Sequence, residues 1–110
     1  MKRYAANRVC IASNWTILRN GVVELDEASH VVARTFQLDE EIRQTEWKGG
    51  LILICKEPPH LTEGEDFKSF MERIHREEEK TEKQLLYAFH VTAFNVSDMQ
   101  FTPASRIVSL

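Results

Sequence analysis

The sequence lacks any apolar run approaching the ~18 to 20 residues needed to cross a bilayer as a helix, which excludes a helical membrane span. It lacks a basic excess. Fourteen Lys and Arg stand against 17 Asp and Glu, a formal charge of -3, which argues against a nucleic-acid surface. Its opening residues, Met1-Lys2-Arg3-Tyr4-Ala5-Ala6-Asn7-Arg8, carry early charges with no apolar segment behind them, so no secretory signal is read. Internal repeats, low-complexity tracts and a dividing linker are all absent. Residues 1–110 therefore read as a single domain, large enough for one core.

Cysteine is scarce, with only Cys10 and Cys55, each inside an apolar, strand-like run. Two buried free thiols in a reducing, cytoplasmic compartment fit that setting. Spacing alone leaves a disulfide open if the two strands are neighbours. The four histidines, His30, His60, His75 and His90, are widely separated. No His-x-His pair and no His-Glu-x-x-His motif occurs, so no metal site is encoded locally. Gly49-Gly50 is followed by neither Gly-Lys-Ser/Thr nor a helix start, which excludes a phosphate loop. No cofactor is called for.

What is present is strand-forming sequence organised around residues 20–54. Gly21-Val22-Val23-Glu24-Leu25 turns through Asp26-Glu27-Ala28-Ser29 into His30-Val31-Val32-Ala33-Arg34-Thr35-Phe36, a hairpin whose side chains alternate between faces. A short acidic connector follows. Glu46-Trp47-Lys48-Gly49-Gly50 then leads into Leu51-Ile52-Leu53-Ile54, four consecutive aliphatics that predict a strand covered on both faces. The two glycines permit a bulge at its entry, and Pro58-Pro59 ends it.

Upstream, residues 4–11 predict a first strand broken at Ala12-Ser13-Asn14, and Asn20-Gly21 reads as a turn before the hairpin. The residues of Trp15-Thr16-Ile17-Leu18 fit more than one assignment. Thr62-Glu63-Gly64-Glu65 has the form of a capping box. Phe67, Phe70, Met71 and Ile74 then fall on one face of a helix over about 62–80. Glu79 and Lys83 would form an i,i+4 pair worth ~0.2–0.5 kcal/mol. Residues 85–96 predict a long strand with a bend near Thr92-Ala93, and Ser97-Asp98 and Pro103-Ala104-Ser105 mark later turns.

Three segments together resemble the small β-domain of the amidohydrolase superfamily, the urease- and cytosine-deaminase-like metal hydrolases. There a strand-rich composite domain is built from both chain ends around a (β/α)8 barrel. Arg3-Tyr4-Ala5-Ala6-Asn7-Arg8-Val9 resembles the opening strand. Asn20-Gly21-Val22-Val23-Glu24-Leu25-Asp26 with His30-Val31-Val32-Ala33 resembles the family hairpin, and Gly50-Leu51-Ile52 resembles the lead into the barrel. The stretch from Phe94 through Asp98, Met99, Thr102-Pro103 and Ser105-Arg106-Ile107 resembles a closing segment. The chain is also similar to short proteins of Bacteroides-type gut bacteria that keep this frame without the barrel.

The resemblance implies a mainly β or α+β fold: a composite-domain-like β-sandwich or half-barrel of about six strands, both chain ends closing one sheet, with one amphipathic helix. It does not carry the chemistry over. Where the enzymes place a His-x-His metal pair, this sequence has Cys55 and Glu57, and only about forty residues separate them from the closing segment. That span is too short for a barrel of ~200 residues or more. The leading expectation is a non-catalytic binding or assembly module, as a homodimer or with a protein partner, with no nucleic acid and no membrane. The alternative is a diverged small metal-dependent hydrolase or metal-binding protein using Cys55, Glu57, His60 and His90. Lys56-Glu57, just past the apolar strand, reads either as a rim feature or as a solvated pair.

Overall fold

The computed structural model describes residues 1–38 and 44–110. Part of the acidic connector, residues 39–43, lies outside the described residues. Seven strands and one helix follow one another as β1 (Lys2–Ile11), β2 (Thr16–Leu25), β3 (Val32–Gln37), β4 (Thr45–Trp47), β5 (Leu51–Cys55), α1 (Phe67–Lys80), β6 (Tyr87–Thr92) and β7 (Arg106–Ser109). The fold is mainly β with one helix, as expected, and all seven strands join one sheet of order β3-β2-β1-β5-β6-β7, with β4 also on β1.

β5 lies in the middle of that sheet, parallel to β1 and antiparallel to β6. All five of its side chains are fully buried, which is why an unbroken aliphatic run suits it. Leu51, Leu53 and Cys55 face α1, where they meet Phe70, Met71 and Ile74. Ile52 and Ile54 face the other way, packing with Val9, Val23, Leu25 and Ala88. The second core needs no helix because the sheet curls over it. Val31 bridges Tyr87, and the amide of Val32 donates to the carbonyl of Leu86 at 2.8 Å. The amide of Leu110 donates to Ala88 on the same edge of β6. β6 thus passes from β7 to β3 along one edge, the half-barrel form of the expected fold.

The glycines before β5 do form a bulge. Trp47 lies opposite Ala5 and Leu51 opposite Arg8, so four steps on this side match three on β1. Gly49 and Gly50 take positive φ of 70° and 61° there. The Asn7 side chain accepts from the Gly50 amide at 2.8 Å and holds the bulge in place.

Several expectations need correction. Asn20-Gly21 is not a turn but lies inside β2, whose pairing with β1 keeps one register along its length. Tyr4 and Ala6 share a core with Val9 and Ile11, and Leu18 shares it with Val23 and Leu25. Both strands therefore switch faces together here, and Asn20 takes a φ of 47°. Gly21 is required because a Cβ would lie 2.6 Å from Val9 Cγ2.

The helix begins at Phe67, and its N-cap is Asp66, whose carboxylate accepts from the Ser69 amide at 2.8 Å. Thr62 and Glu65 instead close a turn, and Glu65 is taken by a forked ion pair with Arg73. The helix ends at Lys80, so Glu79 pairs with His75 and Lys83 reaches Glu57. The long strand over 85–96 is confined to β6, ending where Ala93 takes a φ of 52°.

Both chain ends join one sheet, as expected, but the closing segment does not lie beside the opening strand. β7 pairs with β6 at the far edge of the sheet, and β5 and β6 separate it from β1. Residues before β7 cross the helix instead. Phe94 and Phe101 stack edge-on with Phe67 and Phe70, and Gln100 accepts from the Phe67 amide at 3.1 Å.

Candidate functional site

The four residues considered for a metal centre do not converge. Cys55 lies opposite Tyr87 and His90 opposite Ile52, three rungs apart, roughly 10 Å along the ladder and on opposite faces. Burial drives the Cys55 thiol far above its ordinary value, with the Glu78 carboxylate adding to the effect. Glu57 is engaged by Lys83 at 3.1 Å and by the Thr81 hydroxyl at 3.4 Å. His60 is exposed, and its carbonyl accepts from Arg73. His90 Nε2 lies 3.1 Å from the Gly49 carbonyl. A carbonyl only accepts, so Nε2 is the donor and pins the glycine bulge, and burial lowers the pKa of the ring. Among the described residues no group of three His, Cys, Asp or Glu side chains could hold a metal ion.

Cys10 and Cys55 are both free and fully buried, on the neighbouring strands β1 and β5. Burial pushes the Cys10 thiol up to about 12. A nucleophilic thiol needs an open, electropositive setting, and neither cysteine has one.

A different site does form, at the seam where β6 passes from β7 to β3. Three local features create it. Pro58 and Pro59 end the ladder beyond Cys55, so nothing continues it beside the residues preceding β6. The chain leaves α1 through Thr81 in an extended conformation (φ -87°, ψ 143°), and Glu57 holds Lys83 to the strand end. The β2–β3 turn, closed by Asp26 accepting from the Ala28 and Ser29 amides, brings His30 alongside.

The result is a cleft of about 830 Å³. Tyr87, Ala88, Phe89 and Leu85 supply its apolar lining, Lys56 and Lys83 its cationic groups, and His30 also borders it. No aspartate or glutamate lines it. Lys56 is set by Glu78, a buried carboxylate that accepts from the Lys56 amide at 2.7 Å. The Lys56 ammonium lies 3.5 Å from the Glu78 carbonyl, and among the described residues it forms no ion pair.

A second cleft, about 590 Å³, lies between residues 61–66 and 101–106. Two of its three carboxylates are already used, Glu65 by Arg73 and Asp66 by the helix cap, and the third is Glu63. The first cleft is thus the better binding site: its size is that of a small-molecule pocket, and its floor is largely apolar.

Sequence reasoning reached Lys56 only as a rim feature and missed Leu85, Tyr87 and Glu78. Glu78 did carry a signal. It falls four residues after Ile74, on the same helical stripe as Phe67, Phe70 and Met71, so a carboxylate there had to be buried. The cleft itself draws on residues 30, 56, 58, 83–85, 87–89 and 109–110, which no local motif connects.

No family model matches the chain, and comparisons with curated proteins and with solved structures return no match. Among the described residues no helix is long and apolar enough to cross a membrane.

Proposed function

We propose that this chain is a non-catalytic binding module, acting in the cytoplasm, with the cleft beside β6 as its ligand site. The observation that carries the reading is the cleft's make-up: a largely apolar floor of small-molecule size bordered by two lysines, with no aspartate, glutamate or cysteine side chain in its lining. The diverging positions of Cys55, Glu57, His60 and His90 weigh against the metal-hydrolase alternative. Two buried free thiols suit a reducing compartment.

Kinship with the composite domain has narrower support than the sequence suggested. The hairpin of β2 and β3, the entry to β5 and the presence of both chain ends in one sheet are the features that support it. Assembly as a homodimer also has less support than ligand binding. The exposed Trp15, Ile17, Trp47, Leu85 and Val108 are scattered over β2, β4, β7 and two connections, not gathered on one strand face.

Calorimetric titration with decanol, a neutral apolar probe, tests the reading against a variant in which Ser109→Trp fills the cleft. Decanol should bind the native protein, and the variant should lose that binding while keeping its melting temperature. Absence of binding to the native protein, or equal binding to both, rejects the cleft as the site.

A further inference from the structure

The lining of the cleft has a polarity that a purely apolar ligand would leave unused. Lys56 and Lys83 both border it, but they are not equivalent. Lys83 is neutralised by Glu57, its ammonium 3.1 Å from the carboxylate. Lys56 has no carboxylate partner, side-chain or terminal, among the described residues. Its backbone amide is fixed by Glu78, and its side chain is only half-buried, next to Pro58 and the β6 floor. A cation with no carboxylate at ion-pair distance, its ammonium only 3.5 Å from the Glu78 carbonyl, therefore stands at the edge of an apolar cavity. A cation against a low-polarity surface is poorly solvated, and a ligand anion would restore its pairing.

Resting on the binding reading above, we infer that the cleft takes a small amphipathic monoanion. Its carboxylate would sit on the Lys56 ammonium, and its aliphatic or aromatic body would lie over Leu85, Tyr87 and Phe89. A single charge fits because only one of the two lysines lacks an ion pair among the described residues. A free small molecule fits because the space has the volume of a small-molecule pocket. The interaction forms no covalent bond and requires no metal.

Decanoate, below its micellar concentration at neutral pH, and decanol share an apolar body and differ in the head group. Calorimetry with native protein and with Lys56→Gln separates the two contributions. That substitution keeps the backbone amide bonded to Glu78, and decanol affinity, unchanged between the two proteins, reports an intact cleft. Native protein should bind decanoate about tenfold or more tighter than decanol, the scale of a charge-assisted hydrogen bond. Lys56→Gln should bring decanoate down to the level of decanol, and Lys56→Arg should restore most of the difference. Equal affinity of native protein for the two probes would overturn the anion inference and leave the binding reading standing. A decanoate preference that survives Lys56→Gln would also overturn it, by locating the head group elsewhere. Failure of both probes to bind would remove the binding reading itself.

Discussion

The Glu78 carboxylate accepts from the backbone amide of Lys56 at 2.7 Å, tying the last turn of α1 to the residue that follows β5. Its second oxygen, Oε2, is buried without a hydrogen-bond partner. One contact thus fixes the helix on the sheet and sets the root of the Lys56 side chain, at the cost of an incompletely solvated carboxylate.

Desolvation raises the Glu78 pKa above its ordinary 4.5. A folded-state pKa above the unfolded value means that the folded protein holds the proton more tightly between the two. Stability from this group should therefore be greatest below about pH 4.5 and should fall as pH rises through the folded value. Urea midpoints against pH should show this decline in the native protein and its absence in Glu78→Gln. Glu78→Ala, which orphans the Lys56 amide, should lose about 1–3 kcal/mol.

Glu24 has the opposite sign. Hydrogen bonds from Arg34 at 2.8 Å and Arg3 at 3.0 Å lower its carboxyl to about 2. This contribution is complete above the ordinary 4.5 and is lost as pH falls through about 2. Because Arg34 is largely exposed, Arg3→Ala should cost more than Arg34→Ala. Glu24→Gln should cost about 1–2 kcal/mol at neutral pH and flatten the acid limb of the unfolding curve.

Two substitutions distinguish the helix cap seen here from the one suggested by sequence. Asp66→Ala removes the acceptor for the Ser69 amide and should cost about 1 kcal/mol. Thr62→Ala should change the melting temperature little, because only the Thr62 carbonyl is used, by the Glu65 amide. A larger loss from Thr62→Ala than from Asp66→Ala would restore the capping box.

Gly21→Ala tests the face switch within β2. Its methyl would meet Val9 Cγ2 at 2.6 Å and Val9 Cβ at 2.8 Å, in a fully buried environment. The expected loss is about 1–3 kcal/mol, from overpacking. Val9→Ala in the same chain should recover part of it, which a backbone-strain origin would not allow.

The features legible in the sequence are those written in short-range pattern. Leu51, Ile52, Leu53 and Ile54 announced a strand buried on both faces, and the spacing of Phe67, Phe70, Met71 and Ile74 announced the helix face. Asn20-Gly21 misled because positive-φ chemistry serves both to reverse a chain and to switch faces within a paired strand, and only the partner strand decides which. Thr62 and Asp66 both have capping side chains, and Arg73, eight residues beyond Glu65, decided between them by capturing Glu65. The destination of β7 and the cleft depend on contacts between distant segments, so no local signal specified either.

The central claim is that the cleft beside β6 binds a small apolar ligand. Amide-resolved NMR during titration with decanol tests it most directly. The account predicts shifts concentrated at Lys56, Leu85, Tyr87, Ala88, Phe89 and Ser109, with the amides of residues 61–66 unmoved. Shifts centred on the cleft at residues 61–66 and 101–106, or none anywhere, would contradict it.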